Sequence, residues 1–562
     1  MSKSILGGIL MKKNVLEIIP QIICAMVFAF LYSIAYIILG PMAKTQNFTF
    51  SSSQILPFLL CLVICTIINS IIFVTFPKWR FDIKSEKISR VLDKFGDRKL
   101  FVCIWIFIFI SWIPAFLTLY PGVLSYDMIS QTTSALRTIT DNHHPVLHTG
   151  LIRIFMNFGN KYLSSYENGL GLLSLVQMIT LSYSLTRFSM LLKKKGVPVW
   201  LFIATVLGSA LWFMNACLSV TMIKDTLHAT FFVLFACHFV EIIMNPSEYV
   251  SKKLNLILLP IVGFFMFATR NNGLHIYVFC FAGLFLFRIF QIKKANIKKY
   301  FVLVLMILLP IVLFKIYTGP VFKTFDIEQG QVREALSLPI QQLQRVDIAK
   351  DSEMTAEQNE KMGYYIDDLN WLQDSSILRY DAFIADPAKR CFYSNNYNED
   401  PIAFWKFYLE LGLEYPKEYI AAFLSNTLGF WYPGYYGFSY VMYDNYEPEL
   451  FVVPLERKSI VDVEIFKTYY ESVCSSNFWR ETYGLRIFFV SGFAPWLIGY
   501  GLVLAWRKKE FWVKIFPLFL PLIAQYGIMI LSPMSSFRYS WPLYLILPLM
   551  FIAIFSYRDA EV

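Results

Sequence analysis

Charge is scarce in this chain. Only 16% of its 562 residues are Asp, Glu, Lys or Arg and six are His, while 56% are hydrophobic and 18% aromatic; a soluble domain carries about 25% charged residues. With a mean hydropathy of +0.51, that deficit excludes an ordinary soluble globular protein. Acids are almost missing from the centres of the apolar runs. Glu241 lies near one end of its run, as do Lys315 and Lys514 in theirs, which disfavours an ion-coupled carrier with midplane acids and repeated halves. No P-loop, GxGxxG or kinase-like signature is present, so no nucleotide pocket is expected. Regular strand alternation and a repeat of 20–50 residues are also missing, which argues against a β-sandwich appendage. Nine cysteines say little: Cys24, Cys61, Cys65, Cys103, Cys217, Cys237 and Cys280 fall in apolar runs as small fillers. Cys391 and Cys474 lie together in the long connection described below, and sequence alone leaves their pairing open.

Long apolar runs dominate what is there. A helix needs about 20 apolar residues to cross roughly 30 Å of hydrocarbon. Such runs occur at 15–40, 54–76, 100–120, 169–191, 198–217, 222–244, 253–269, 273–291, 299–318, 484–506, 511–531 and 539–556. The expectation is an all-α polytopic membrane protein of about 12 transmembrane helices, with 198–217 and 222–244 the least clearly separated. The first run is too long for a secretory leader and lacks a small-residue cleavage site, so no cleavable signal peptide is expected.

Basic residues collect in alternate connections. Lys78 to Lys99 holds eight basic and four acidic residues, and Lys193 to Lys195, Lys293 to Lys299 and Arg507 to Lys509 follow the same parity. These connections and both termini are therefore expected in the cytoplasm. The long connection 320–483 falls on the outer face, with 26 acidic and 14 basic residues. The basic excess behind an isoelectric point near 8.9 thus belongs to cytoplasmic loops, and no nucleic-acid partner is needed to explain it. Four parts follow: a two-helix hairpin with a basic loop (1–99), a transmembrane core (100–319) with a first external loop at 121–168, an external helical region (320–483) between the ninth and tenth spans, and three final spans (484–562).

Within 320–483, Thr355 with Gln358 is a capping-box pattern, Asp400 before Pro401 is an N-cap, and Tyr415–Pro416 opens another helix. The cluster Phe430, Trp431, Tyr432, Pro433 suits an anchor at the level of lipid headgroups.

Polar groups gather on the outer face. The stretch YPGVLSYDMISQ places Asp127 just past a span, followed by the run Asp141 to His148 with His143, His144 and His148. Other outer connections carry Lys224 and Asp225, then Arg270, Asn271, Asn272 and Gly273, then Arg538. One carboxylate among several cations at a membrane face suits a lipid phosphate, since Lys and Arg bind phosphate by charge and Arg also by paired hydrogen bonds. Each residue has a plainer reading. Asp127 suits a helix N-cap; Arg270 and Arg538 suit snorkelling helix ends; Lys224 and Asp225 suit a solvated pair. The three histidines read as polar surface groups, because no neighbouring acid or cysteine completes a metal site. Gln341 and Gln342, in LPIQQLQRV beside Pro339, fit either a loop touching sugar hydroxyls or phosphate, or a solvated helix end.

The order of a span, an external loop opening with Asp127, a His144–Pro145 pair, an apolar bundle and a bulky external region resembles the GT-C membrane glycosyltransferases. PGVLSYD, HHP, Lys224–Asp225, RNNG, LPIQQLQRV and FRYSWPLYLILP, spanning about 100 to 556, are more closely similar to an uncharacterised family of multi-pass proteins from Gram-positive bacteria. The GT-C resemblance implies that Asp127 is the catalytic base or positions the acceptor. It implies a polyprenyl-phosphate sugar donor, and a wall glycan, teichoic acid, lipid or protein acceptor in the cell envelope. Asp127 has no adjacent second acid, a departure that leaves a divalent metal unsupported, and an extra two-span hairpin precedes the core. A polysaccharide polymerase or ligase and a flippase of lipid-linked glycans rank behind this reading.

Orientation is directly testable. In intact cells, a membrane-impermeant thiol reagent is expected to reach a cysteine introduced near Asp351 and to miss one near Asp93; the reverse pattern inverts the topology.

Overall fold

An apolar segment in a bilayer must satisfy its backbone internally, and a helix does so within one segment. The computed structural model describes residues 2–76, 86–124, 126–288, 297–350, 352–366, 379–435, 452–457, 459–461, 463–474, 490–506 and 510–556. Among the described residues the regular elements are helices, joined by four isolated β-bridges.

Among the described residues eight helices are long and apolar enough to cross a membrane: Ile18–Thr45, Ser52–Thr75, Asp97–Thr118, Tyr166–Lys194, Lys224–Met244, Ile297–Thr324, Phe511–Ile530 and Phe537–Phe555. Val199–Leu211 and Phe213–Ser219 make a ninth if counted as one span, bent by 48°. Three further expected spans are the shorter apolar helices Lys253–Thr269, Asn272–Arg288 and Ser491–Ala505. Their described lengths, 17 residues for the first two and 15 for the third, rise at most about 25 Å, less than the hydrocarbon thickness, so they fall short of the expected twelve. Residues 289–291 and 484–489 of the expected spans lie outside the described residues.

The Lys224–Met244 helix is central: 78% of its apolar window is buried, against 6% for Ser52–Thr75. The N-terminal hairpin sits at the periphery and packs on the Ser491–Ala505 helix through Phe28, Trp496 and Tyr500.

One end of the bundle is clasped by Lys193, 3.0 Å from Asp93 and 3.2 Å from Asp97. The 320–435 region folds onto the other end around a core of its own that includes Ile340, Leu343, Phe404 and Leu411. Its local signals hold. Thr355 and Gln358 form the capping box, Asp400 caps the Pro401–Glu414 helix, and Pro416 opens the next helix. The aromatic cluster takes a different place from the headgroup anchor expected: Phe430 and Tyr432 are buried, and Trp496 donates to the Trp431 carbonyl at 2.9 Å. These rings join the region to the bundle and to the N-terminal hairpin, where Tyr432 packs on Gly40. The side chain of Cys474 lies outside the described residues.

Gly122 fixes the turn that follows the Asp97–Thr118 helix. Its φ is +140°, and a Cβ would lie 2.5 Å from Ser174 Oγ and 2.6 Å from the Val220 carbonyl. Gly122→Ala is therefore expected to destabilise the protein by about 1–3 kcal/mol, the usual cost of overpacking, read as a lower thermal midpoint in detergent. An unchanged midpoint would mean that this turn yields freely.

Candidate functional site

Asp127 reaches its place through the backbone. Val123 N–H donates to the Val220 carbonyl and Met222 N–H to the Val123 carbonyl, both at 3.0 Å, a short parallel bridge. Ser174 Oγ adds a bond to the Pro121 carbonyl at 2.8 Å. The bridge holds the start of the Tyr126–Leu136 helix beside the start of the Lys224–Met244 helix, so Asp127 and Lys224 face each other. The Asp127 carboxylate accepts from Lys224 at 3.5 Å and from Arg538, in the first turn of the last span, at 3.3 Å.

Arg270 comes from a tight corner between the Lys253–Thr269 and Asn272–Arg288 helices. Gly273 allows the corner, since a Cβ there would sit 2.4 Å from the Met266 carbonyl. Arg270 pairs with Asp225, which is fully buried. The solvated Lys224–Asp225 pair is thereby ruled out: adjacent on a helix start, the two point to different partners. The Tyr539 ring lies against both Arg270 (4.8 Å) and Arg538 (4.9 Å), and its hydroxyl accepts from Arg538 at 3.0 Å.

These groups line a cavity of about 620 Å³ between the bundle and the 320–435 region. Asp127, His143, His144 and Lys224 are on its wall, with Arg270, Asn271, Asn272 and Arg538. Asp225 lies behind Arg270. Gln341 and Gln342 are not brought there: both are buried in the 320–435 region, bonded through their amides to the Asp381 and Tyr419 carbonyls. Pro339 falls within the continuous Ser337–Lys350 helix, so the expected loop is absent and these amides support packing.

The cavity also takes Arg333, Lys389, Arg390 and His275, none of which belongs to a motif recognisable in the sequence. Lys389 is nearly buried, 2.6 Å from Glu334 and 2.7 Å from Asp386. Nothing in the spacing marks these groups, since they meet Asp127, Lys224 and Arg538 around one cavity only in the folded chain.

Burial pushes the Asp127 carboxyl up, but Lys224 and then Arg538 outweigh it and hold the group below the usual carboxylate range. His144 is pushed down to about 3, first by burial and then by Lys224, which donates to its Nδ1 at 3.3 Å. His148 is not the surface group expected. It is fully buried, donates from Nδ1 to Gln131 Oε1 at 2.5 Å, and is pushed down to about 4 by burial and Lys224. Among the described residues no group of three or more His, Cys, Asp and Glu is arranged to hold a metal ion.

The two imidazoles make a pH prediction. Unfolded, they protonate from about pH 6.5 downward, whereas folded they stay neutral to about 3 and 4. The unfolded chain thus binds more protons in that window, and stability falls as pH falls from 6.5 toward 4. The thermal midpoint should drop on acidification, and less so for His148→Gln. An equal drop in the variant would refute the assignment.

Searches of curated proteins and of solved structures give no match. The chain belongs to the family of unknown function DUF6020, which it matches over residues 132–562, a stretch holding every cavity residue named above except Asp127.

Proposed function

We propose that the chain is an integral membrane glycosyltransferase of the GT-C kind, moving a sugar from a polyprenyl-phosphate donor to a cell-envelope acceptor on the outer face of the cytoplasmic membrane. The observation that carries this reading is the Asp127 carboxylate, held between Lys224 and Arg538 in a cation-walled cavity where the helix bundle meets the external region. In this reading both termini are cytoplasmic, 320–483 is extracellular, and the short helices complete twelve crossings.

The chemistry balances. An acceptor hydroxyl oxygen bonds to the anomeric carbon as the bond from that carbon to the phosphate oxygen breaks. The hydroxyl proton passes to Asp127, and the bonding pair leaves with the lipid phosphate. Lys224, Arg270 and Arg538 stabilise its growing charge.

A carboxylate already held by two cations is a weak base. Arrival of the donor phosphate changes that, because Lys224 and Arg538 then share their charge with a second anion and loosen their hold on Asp127. Donor binding thus prepares the base. His144, neutral and accepting from Lys224, keeps that ammonium oriented as it turns toward phosphate.

Asp127→Asn keeps the shape and removes the base, so transfer from a polyprenyl-phosphate sugar by purified protein should fall roughly 10²–10⁴-fold. Arg270→Ala should chiefly raise the donor KM. Near wild-type transfer by monodisperse Asp127→Asn protein would sink the assignment. In cells, a deletion strain should accumulate a lipid-linked sugar and lose one envelope glycan modification, restored by the wild-type chain and not by Asp127→Asn.

A further inference from the structure

A second cavity, of about 720 Å³, lies at the opposite end of the bundle, among the Asp97–Thr118, Tyr166–Lys194 and Lys224–Met244 helices. Its polar wall carries Arg98, Arg187, Lys193 and Lys194 against Asp97 and Glu241. Lys193 is engaged by Asp93 and Asp97, and Arg187 stands 3.7 Å from Glu241. Arg98 and Lys194 are exposed, and neither has an ion-pair partner among the described residues.

An apolar slot of about 290 Å³ lies between the same three helices and shares Tyr183 with that cavity. Trp105, Ile179, Phe231 and Leu234 line it. The indole N–H of Trp105 is bonded to Ser182 Oγ at 3.1 Å, so the ring offers the slot a carbon face. Ile179, Tyr183 and Val102 are exposed on the outer surface of the bundle, so cavity and slot open sideways, toward lipid.

A cationic cavity at the helix ends, continuous with an apolar slot one step deeper, has the division of an amphiphile. We propose that this groove is a binding site for an anionic glycerophospholipid, its phosphate held by Arg98, Arg187 and Lys194 and one acyl chain in the slot beside Trp105. The two carboxylates select among headgroups. Asp97 and Glu241 accept hydrogen bonds from hydroxyls and face the free hydroxyls of a glycerol headgroup, as in phosphatidylglycerol. Polyprenyl phosphate, which has no such hydroxyls, would leave both acids beside its own negative charge. The site is independent of Asp127 and of the transferase reading. It gives the basic end of the bundle a ligand from the leaflet in which it lies.

The test uses the full chain purified in detergent and observed by native mass spectrometry with dioleoyl phosphatidylglycerol, dioleoyl phosphatidylcholine or undecaprenyl phosphate. The wild type should retain phosphatidylglycerol in preference to the other two. Arg98→Ala/Lys194→Ala changes two exposed side chains and should weaken that retention roughly ten- to thirty-fold, the effect expected for two basic residues at an anionic headgroup. Ile179→Trp, which fills the slot from its exposed side, should weaken it without altering charge. Equal retention of the two phospholipids, preference for undecaprenyl phosphate, or full retention by both variants would each overturn the proposal.

Discussion

The site depends on one short contact, the parallel bridge between Val123 and Thr221. Two backbone bonds of 3.0 Å contribute only about 1 kcal/mol each to stability, so their weight is geometric. They set the register between the chain entering the Asp127 helix and the chain entering the Lys224 helix. Slipping by one residue would turn alternate side chains to the opposite side, and Asp127 would lose its cations. Gly122 lets the two segments approach, and Gln177, buried, bonds to the Thr221 carbonyl on the far side at 3.4 Å. A residue with no side chain and a bridge with no sheet thus decide where the Asp127 carboxylate stands.

Two more isolated bridges act in the same way. Asp141 pairs with Glu328, tying the histidine loop to the segment that leads to Arg333, and Ile384 pairs with Met534, tying the 320–435 region to the loop before Arg538. The Ala385 N–H adds a bond of 2.7 Å to the Pro533 carbonyl, and Asn426 reaches the Ser532 carbonyl at 3.1 Å. Three of the four isolated bridges therefore border one cavity. Helices supply rigid rods, but their ends leave backbone groups unpaired. Where such ends meet at the site, pairing those groups across elements both satisfies them and fixes the side chains beside them.

Features encoded within one segment were legible in the sequence. The apolar runs, the capping box at Thr355 and the cap at Asp400 each follow from local composition. Features that need two segments were not. LPIQQLQRV looked like a break because Pro339 interrupts it, yet Pro339 lies in the first turn of its helix, where its missing N–H costs nothing. Gln341 and Gln342 then face the region's own interior. His148 looked exposed for the same reason: its burial depends on Gln131, seventeen positions earlier, across a helix pair. Arg333 and the Lys389–Arg390 pair left no signal, lying far apart in a region whose overall charge is acidic. Family membership adds no chemistry here, because the family itself carries no assigned activity.

The remaining question is how three cations are held at one site without expelling one another. Each is compensated differently. Arg270 is held by Asp225, whose second oxygen has no hydrogen-bond partner among the described residues; a charge buried that deeply costs several kcal/mol unless paired, so Arg270 is committed to its place. Tyr539 lies against both guanidinium groups and presents its ring face to them, an attraction that offsets part of their repulsion. Lys224 and Arg538 share Asp127 at 3.5 and 3.3 Å, longer than a close charged hydrogen bond of about 2.7–2.9 Å. The tight pair fixes the architecture and the loose pair keeps two cations and a carboxylate ready for exchange. In the proposed transfer, a donor phosphate entering the cavity meets Lys224 and Arg538 as the groups easiest to recruit, and the carboxylate they release is the one best placed to take a proton.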